Sequence, residues 1–312
     1  MIYYLVTRAH RYTMADYLTS WGQSLAPTVR VVPYGALPAN RALPVGTYVF
    51  SDLERLKPAQ LSMLEAFRDQ LARVGDDVRI VNDPTRSARR LDLIRRLHAR
   101  GVNRFNAFCP SDPDRPWRYP VFVRQESQHD GSLSGLIRDE ASLRELLLIL
   151  TMEGHDARDL LVVEFCDTAD AAGVYRKYSA FRVGDRIFPR HVLFSMSWMQ
   201  KDLDLLEPAH LEELRAYCRE NPHERELLAI FDAADITYGR IDYGLQGGAI
   251  QVWEINTNPL IARPPAEYAP FAQKFHQAFA TVFNEAFAAL DTAGRPGRRI
   301  PISWSPERAF GA

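Results

Sequence analysis

The chain has 312 residues, of which 46% are hydrophobic and 25% charged, with 38 basic side chains against 39 acidic ones. That is about two domains' worth of chain. The mixture excludes a disordered protein, the lack of a long apolar run excludes a spanning helix, and a net charge of −1 gives no electrostatic footprint for nucleic acid. Three widely spaced cysteines (Cys109, Cys166, Cys218) form neither a metal pattern nor a disulfide framework, so a reducing cytoplasm is the expected setting.

In chain order, residues 2–6 read as an opening strand, and Val29–Val32 and Thr47–Phe50 as two more, with breakers between them at Pro33, Gly35 and Pro38. Pro58 starts a helix with Leu61, Leu64, Phe67, Leu71 and Val74 on one face, and Gly75 stops it. Val78–Val81 is a fourth strand. This order predicts an amino-terminal α/β domain over residues 1–82, closed by the linker signal Asn82-Asp83-Pro84.

A basic helix over 88–100 ends at Gly101. A strand over 119–124 leads into a small, polar loop, Gln128 to Gly135, then a leucine-faced helix around 140–150 and an apolar strand over 160–165. Residues 175–194 read as a hairpin about the turn Gly184-Asp185, with Pro189 marking an edge arm. A regular two-residue turn pairs Ser179 with Arg190, Lys177 with Val192 and Phe181 with Phe188. Lys177, Ser179 and Arg190 then share a face with both phenylalanines, a platform suited to a nucleotide or an anionic substrate, or simply a solvated sheet edge. His191 falls opposite Tyr178 on the other face, as a structural residue. Helices follow over 208–219 and 223–234, then a second hairpin (237–243 and 250–255) about Gln246-Gly247-Gly248. A long helix over 266–290 carries Phe271, Phe275, Phe279, Phe283 and Phe287 as a core stripe. The Gly- and Pro-rich tail from 293 to 312 is expected on the surface.

The second hairpin carries the chemistry. Gly239-Arg240-Ile241-Asp242 is followed, twelve positions after the aspartate, by Glu254-Ile255-Asn256. Alternate strand residues share a face, so Arg240 and Asp242 point one way, and so do Glu254 and Asn256. Matched faces bring together a cation, two carboxylates and an amide oxygen, hard ligands of the kind Mg²⁺ takes beside phosphate. An antiparallel pair matches those faces only if the connection has an odd residue count, as a three-residue bulged loop or a five-residue loop does. A solvated hairpin face is the competing reading.

This pattern resembles the metal-binding hairpin of the ATP-grasp superfamily, typified by D-alanine–D-alanine ligase, glutathione synthetase and the ribosomal-protein glutamate ligases. Three other segments resemble the family in order. Pro120–Arg124 with the Gly131-Ser132-Leu133-Ser134-Gly135 loop is similar to its phosphate-binding strand and mobile glycine-rich loop. Leu161–Cys166 is similar to the hinge strand that holds adenine, and Asn82–Gly101 to the linker into the nucleotide domain. The resemblance spans roughly 78–260. Arginine stands at 124 and 90 where the family usually has lysine; only four of the 38 basic residues here are lysine (Lys57, Lys177, Lys201, Lys274).

The resemblance implies an ATP-grasp fold of α/β class behind an amino-terminal α/β domain. A lid subdomain would cover 83–160 and a metal-bearing subdomain 161–292. It implies ATP and Mg²⁺ (or Mn²⁺) as cofactors, with Asp242, Glu254 and Asn256 holding metal. Arg90, Arg124 and the loop at Gly131, Ser132, Ser134 and Gly135 would hold phosphates. Glu164 with Phe165, Cys166 and Asp167 would read adenine, and Asp170 the ribose. Arg240, with Lys177 and Arg190, would serve the reacting groups. The activity implied is an ADP-forming ligase joining a carboxylate to an amine or thiol through an acyl phosphate. A kinase on the same fold and a non-catalytic nucleotide-binding module are the alternatives. Small-molecule or peptide substrates are the expected partners, without nucleic acid or membrane; a homodimer is allowed. His129 reads as an exposed loop residue that could touch phosphate, Trp198 and Lys201 lie where substrate loops often sit, and Cys166 reads as a small apolar filler.

Overall fold

The computed structural model describes residues 1–37, 42–112, 118–199, 205–291, 298–303 and 310. The amino-terminal unit contains β1 (Ile2–Val6), α1 (Tyr12–Thr19), β2 (Val29–Pro33), β3 (Ala42–Pro44), β4 (Gly46–Phe50), α2 (Pro58–Ala72) and β5 (Val78–Val81). Four of its strands make a parallel sheet in the order β2-β1-β4-β5. Every residue of β4 is buried, as a strand covered on both faces requires. α2 buries Leu64, Phe67 and Leu71, the stripe read from the sequence, and Gly75 follows at φ +77°.

The next elements are α3 (Arg90–Ala99), β6 (Ala107–Phe108), β7 (Val121–Gln125), α4 (Glu140–Met152) and β8 (Leu160–Glu164). β8 lies between β6 and β7, antiparallel to both. A division at residue 160 falls at the start of β8, and this sheet extends through Glu164. Asp139 caps α4 through the Ser142 N–H at 2.9 Å.

A second four-stranded sheet follows. Its strands are β9 (Tyr175–Val183), β10 (Arg186–Ser195), β11 (Tyr238–Gln246) and β12 (Ala249–Asn256), in the order β10-β9-β11-β12. β10 is an edge, which accommodates Pro189. α5 (Pro208–Glu220) and α6 (Glu224–Ala233) cover one face, and α3 packs into the same apolar cluster. α7 (Pro270–Ala288) covers part of the other. Phe279, Phe283 and Phe287 of its stripe join the core beneath β1 and β4.

The tail is not simply peripheral. β13 (Arg299–Pro301) pairs antiparallel with β3, and Ile300 and Ile302 are buried in the amino-terminal core. Asn82, at φ +57°, joins the two halves of the molecule. Its side-chain amide donates to the Phe50 and Tyr238 carbonyls, and its oxygen accepts from the Thr237 and Tyr238 N–H groups. The residue read as a linker is thus a buried staple.

Candidate active site

Two β-bulges set the geometry of the second sheet. The β11–β12 turn has only two residues, Gly247 and Gly248, since Gln246 pairs with Ala249. That even count would have opposed the two carboxylates. A bulge restores the match: Tyr243 pairs with Val252 but Asp242 with Glu254, so Trp253 is the extra residue. Arg240 pairs with Asn256. Arg240, Asp242, Glu254 and Asn256 therefore share a face, by a strand bulge rather than by an odd-length loop.

The second bulge lies in β10. Phe181 pairs with Phe188 as the regular turn predicts, but Ser179 pairs with His191 and Lys177 with Leu193, leaving Arg190 as the extra residue. The pairings of Ser179 with Arg190 and Lys177 with Val192 do not form. His191 instead opposes Ser179, whose hydroxyl donates to Asp242 at 2.7 Å, so His191 turns toward the site face. Nor do Phe181 and Phe188 form a ligand platform. They stack at 6.2 Å and pack against Phe279 and Phe283 of α7.

A cavity of about 380 Å³ opens between the lid sheet and this face. One end is apolar, between Phe122, Phe165 and Trp198 on one side and Phe105 and Trp253 on the other. The other end is charged, with Arg124, Lys177, Arg240, Asp242 and Glu254. Cys166 and Glu164 line the hinge side, and Gly131 and His129 the loop side.

At the charged end Arg240 pairs with Asp242, Nε to Oδ1 at 3.0 Å and Nη2 to Oδ2 at 3.2 Å. Glu254 lies among three cationic groups. Oε2 accepts from Arg90 and, at 3.2 Å, from Arg124; Oε1 meets His129 at 3.4 Å. Burial pushes the Glu254 carboxyl up, but Arg90, His129 and Arg124 outweigh it and hold it well below the usual range. Burial, with Arg90 nearby, lowers Arg124 to about 10.

His129 is a half-buried link rather than an exposed loop residue. Its Nε2 meets Glu54 at 3.1 Å, and burial is outweighed by Glu254 and Glu54, so its pKa is raised. Glu54 also accepts from the Thr257 N–H at 3.2 Å and hydroxyl at 2.5 Å. Burial acts against the Glu54 carboxylate, but these partners bring its pKa down to about 2. Sequence reasoning missed Glu54. It follows β4, at the carboxyl ends of parallel strands where α/β sheets build their sites, and that position is the signal that could have found it.

Several expected ligands lie elsewhere. The Arg90 guanidinium donates to the Gln125, Glu126 and Gln128 carbonyls at 2.9, 2.6 and 2.9 Å, so it anchors the loop from behind rather than facing a phosphate. Ser134 accepts from the Val123 N–H at 2.9 Å and Ser132 donates to the Ser134 carbonyl at 2.8 Å. This folds the segment containing Ser132, Ser134 and Gly135 back along β7, and only its start, at Gly131, lines the cavity. The Glu164 carboxylate is occupied by the Asn106 N–H at 3.0 Å and by Arg118. Asp170 closes a turn through the Ala172 and Val174 N–H groups and pairs with Arg176, which lines the cavity; Asp167 likewise caps Ala169. Trp198 does line the cavity, and Lys201 lies outside the described residues.

Two carboxylates and an amide on one face are the donor chemistry a hard cation takes beside phosphate oxygens and water; here Asp242 is paired with Arg240, Glu254 with Arg90 and Arg124, and the Asn256 oxygen accepts from the Asn258 N–H at 2.7 Å. Among the described residues no three His, Cys, Asp or Glu side chains gather as an all-protein cage. Also among the described residues, no helix is long and apolar enough to cross a membrane.

A parallel α/β unit, a small antiparallel lid and a four-stranded sheet facing a shared cavity make up the ATP-grasp fold. No family model and no curated protein matches the sequence. Among solved structures the chain is similar to D-alanine–D-alanine ligase from Bacillus anthracis complexed with ATP, with TM-score 0.51, 11% identity, and 93% of this chain and 97% of that chain covered. A second structure of that enzyme gives TM-score 0.50 and 13% identity, covering 93% and 98%. A RimK domain ATP-grasp protein from Sphaerobacter thermophilus gives 0.49 and 13%, covering 92% and 100%. At such identities the likeness is one of fold.

Proposed function

We propose that the protein is an ATP-dependent, ADP-forming ligase that joins a carboxylate to an amine or thiol. The observation that supports this reading is the convergence of Arg240, Asp242 and Glu254 with Arg124 at the charged end of a cavity whose other end is apolar. A nucleotide fits that polarity, with its base between Phe165 and Trp253 and its phosphates toward Arg124 and Gly131. The solved relative with the same fold binds ATP and joins amino acids.

Asp242, Glu254 and Asn256 would hold Mg²⁺, which when bound offsets phosphate charge. The protein's own part is positioning and charge neutralisation, which dominate phosphoryl transfer. Arg124 orients the phosphate chain. A substrate carboxylate oxygen attacks the γ-phosphorus as the bond to ADP breaks, giving an acyl phosphate. The amine then attacks the acyl carbon, loses a proton and expels inorganic phosphate. Arg240, fixed by its two bonds to Asp242, faces the charge that builds on the transferred group and on the tetrahedral intermediate. The loop held by Arg90 and His129 keeps water from the acyl phosphate.

The test is ADP release from MgATP across a panel of carboxylates and amines, with hydroxylamine as a trap. A hydroxamate is expected. A phosphorylated alcohol without hydroxamate would identify a kinase instead, and calorimetry showing no ADP binding with or without Mg²⁺ would remove the nucleotide site.

A further inference from the structure

On the same sheet face, next to Arg240, lie three basic groups that the chemistry above does not use: Arg190, His191 and His276. Arg190, the extra residue of the β10 bulge, is only 6% exposed. Its Nε donates to the Ile261 carbonyl at 3.1 Å, Nη1 meets His276 Nδ1 at 3.1 Å, and its guanidinium lies 4.4 Å from the Phe279 ring centroid. Among the described residues no Asp or Glu side chain pairs with it. Its charged surroundings are basic instead. Burial is the largest influence and lowers Arg190, the hydrogen-bonding Tyr268 hydroxyl acts against it, and Arg240 adds to the lowering. Burial also keeps His191 and His276 neutral, assisted in both cases by Arg190.

A buried cation without a counter-charge is costly, and folds retain one only where something offsets that cost. Arg240, His191 and His276 are half-buried, and Arg240 lines the cavity. The bulge is what aims Arg190 and His191 together; a regular hairpin would have separated them.

We infer that Arg190 and His276, with His191 and Arg240 at the rim, form a subsite for an anionic oxygen group on the substrate. The carboxylate activated beside Arg240 then belongs to a small acid that carries a second negative group, a carboxylate or a phosphate. This rests on the ligase reading for which carboxylate reacts, whereas the subsite itself is open to a binding test alone.

The probes are glutarate (two carboxylates), 3-phosphonopropionate (carboxylate and phosphonate) and butyrate (one carboxylate). Each is titrated calorimetrically into the full-length protein, free and saturated with ADP and Mg²⁺. One dianion or both should bind at least about tenfold tighter than butyrate, a difference of ~1.4 kcal/mol. Which dianion is preferred distinguishes the two sources of charge. Arg190→Met should abolish the preference with an unchanged or higher melting temperature, and Arg190→Lys should keep part of it. Equal affinity for all three probes, or no binding of any, overturns the subsite. So does an Arg190→Met variant that melts lower, is rescued by lysine, and retains the preference. Arg190-dependent dianion binding without ADP release or hydroxamate would uphold the subsite and defeat the ligase reading. Turnover of butyrate as efficient as that of glutarate would do the reverse.

Discussion

Around Glu254 the cations Arg90, Arg124 and His129 are matched by two carboxylates, Glu54 and Glu254; on the same sheet face Arg190, His191 and His276 have no Asp or Glu partner among the described residues, and only Arg240 at their rim is paired, with Asp242. The first cluster pairs its charges internally, although the Arg90 and Arg124 Nε atoms keep no hydrogen-bond partner, and it ties five parts of the chain together: the loop after β4, α3, β7, the loop after β7, and β12. The second is incomplete. Completeness makes a cluster a structural element that mutation breaks. Incompleteness makes one a receptor that mutation relieves. The two clusters should therefore respond to loss of a charge with opposite signs.

The largest effect is expected at Glu254. Glu254→Gln removes the charge that holds Arg90, Arg124 and His129, leaving buried cations unpaired, which costs about 3–5 kcal/mol in comparable sites. The same change removes a metal carboxylate, so ATP-dependent turnover should fall at least about a hundredfold, ~2.7 kcal/mol of barrier. Urea unfolding and initial-rate kinetics measure the two losses separately. A variant with normal turnover would sink the metal assignment, and one with normal stability would sink the closed-cluster reading.

Arg90→Met should come next, at about 3 kcal/mol of stability. Three carbonyls of residues 125–128 lose their donor along with Glu254. Hydrogen exchange should therefore accelerate across 126–131 before the rest of the lid. Uniform exchange would mean that the loop is held by β7 alone.

What was legible in the sequence follows the same division. The β11–β12 hairpin, the pairing of Arg240 with Asp242 and of Glu254 with Asn256 on one face of each strand, and the leucine and phenylalanine stripes of the helices were all readable from periods of 2 and 3.6 residues. These are local properties. The two bulges were not readable, because a bulge depends on how two strands share hydrogen bonds after the sheet has formed. Missing the one at Arg190 put His191 on the wrong face. Missing the one at Trp253 assigned the right face to the wrong loop length. Glu54 and His129 lie 75 positions apart, and no local pattern joins them. Arg90 was assigned to phosphate by analogy, although three backbone carbonyls hold it.

Arg124→Lys probes a smaller difference within the closed cluster. Arg124 reaches Glu254 through one nitrogen, and its Nε has no hydrogen-bond partner. A lysine ammonium can supply that single contact and the phosphate charge, though not a fork. Turnover should stay within about tenfold of wild type, with the loss in the Michaelis constant for ATP rather than in kcat. A dead variant would show that the phosphate chain requires two parallel donors.

The smallest effect belongs to His276 in the open cluster and appears only in acid. The ring stacks on Tyr268 at 3.6 Å and meets Arg190. Burial, reinforced by Arg190, lowers its pKa from 6.5 to about 4. Between those values the unfolded chain binds a proton that the folded chain refuses, so stability rises with pH across this window. The contribution is complete above 6.5 and is lost as the pH falls through about 4. His276→Gln should flatten that part of the melting-temperature profile and leave the region above pH 7 unchanged. Saturating glutarate, by pairing with Arg190, should make protonation of His276 easier and move the acid limb of the wild-type profile toward higher pH than the bound dianion's own titration explains. If the limb stays in place while glutarate binds, the dianion is seated away from His276, and the open cluster is smaller than the four groups assigned to it.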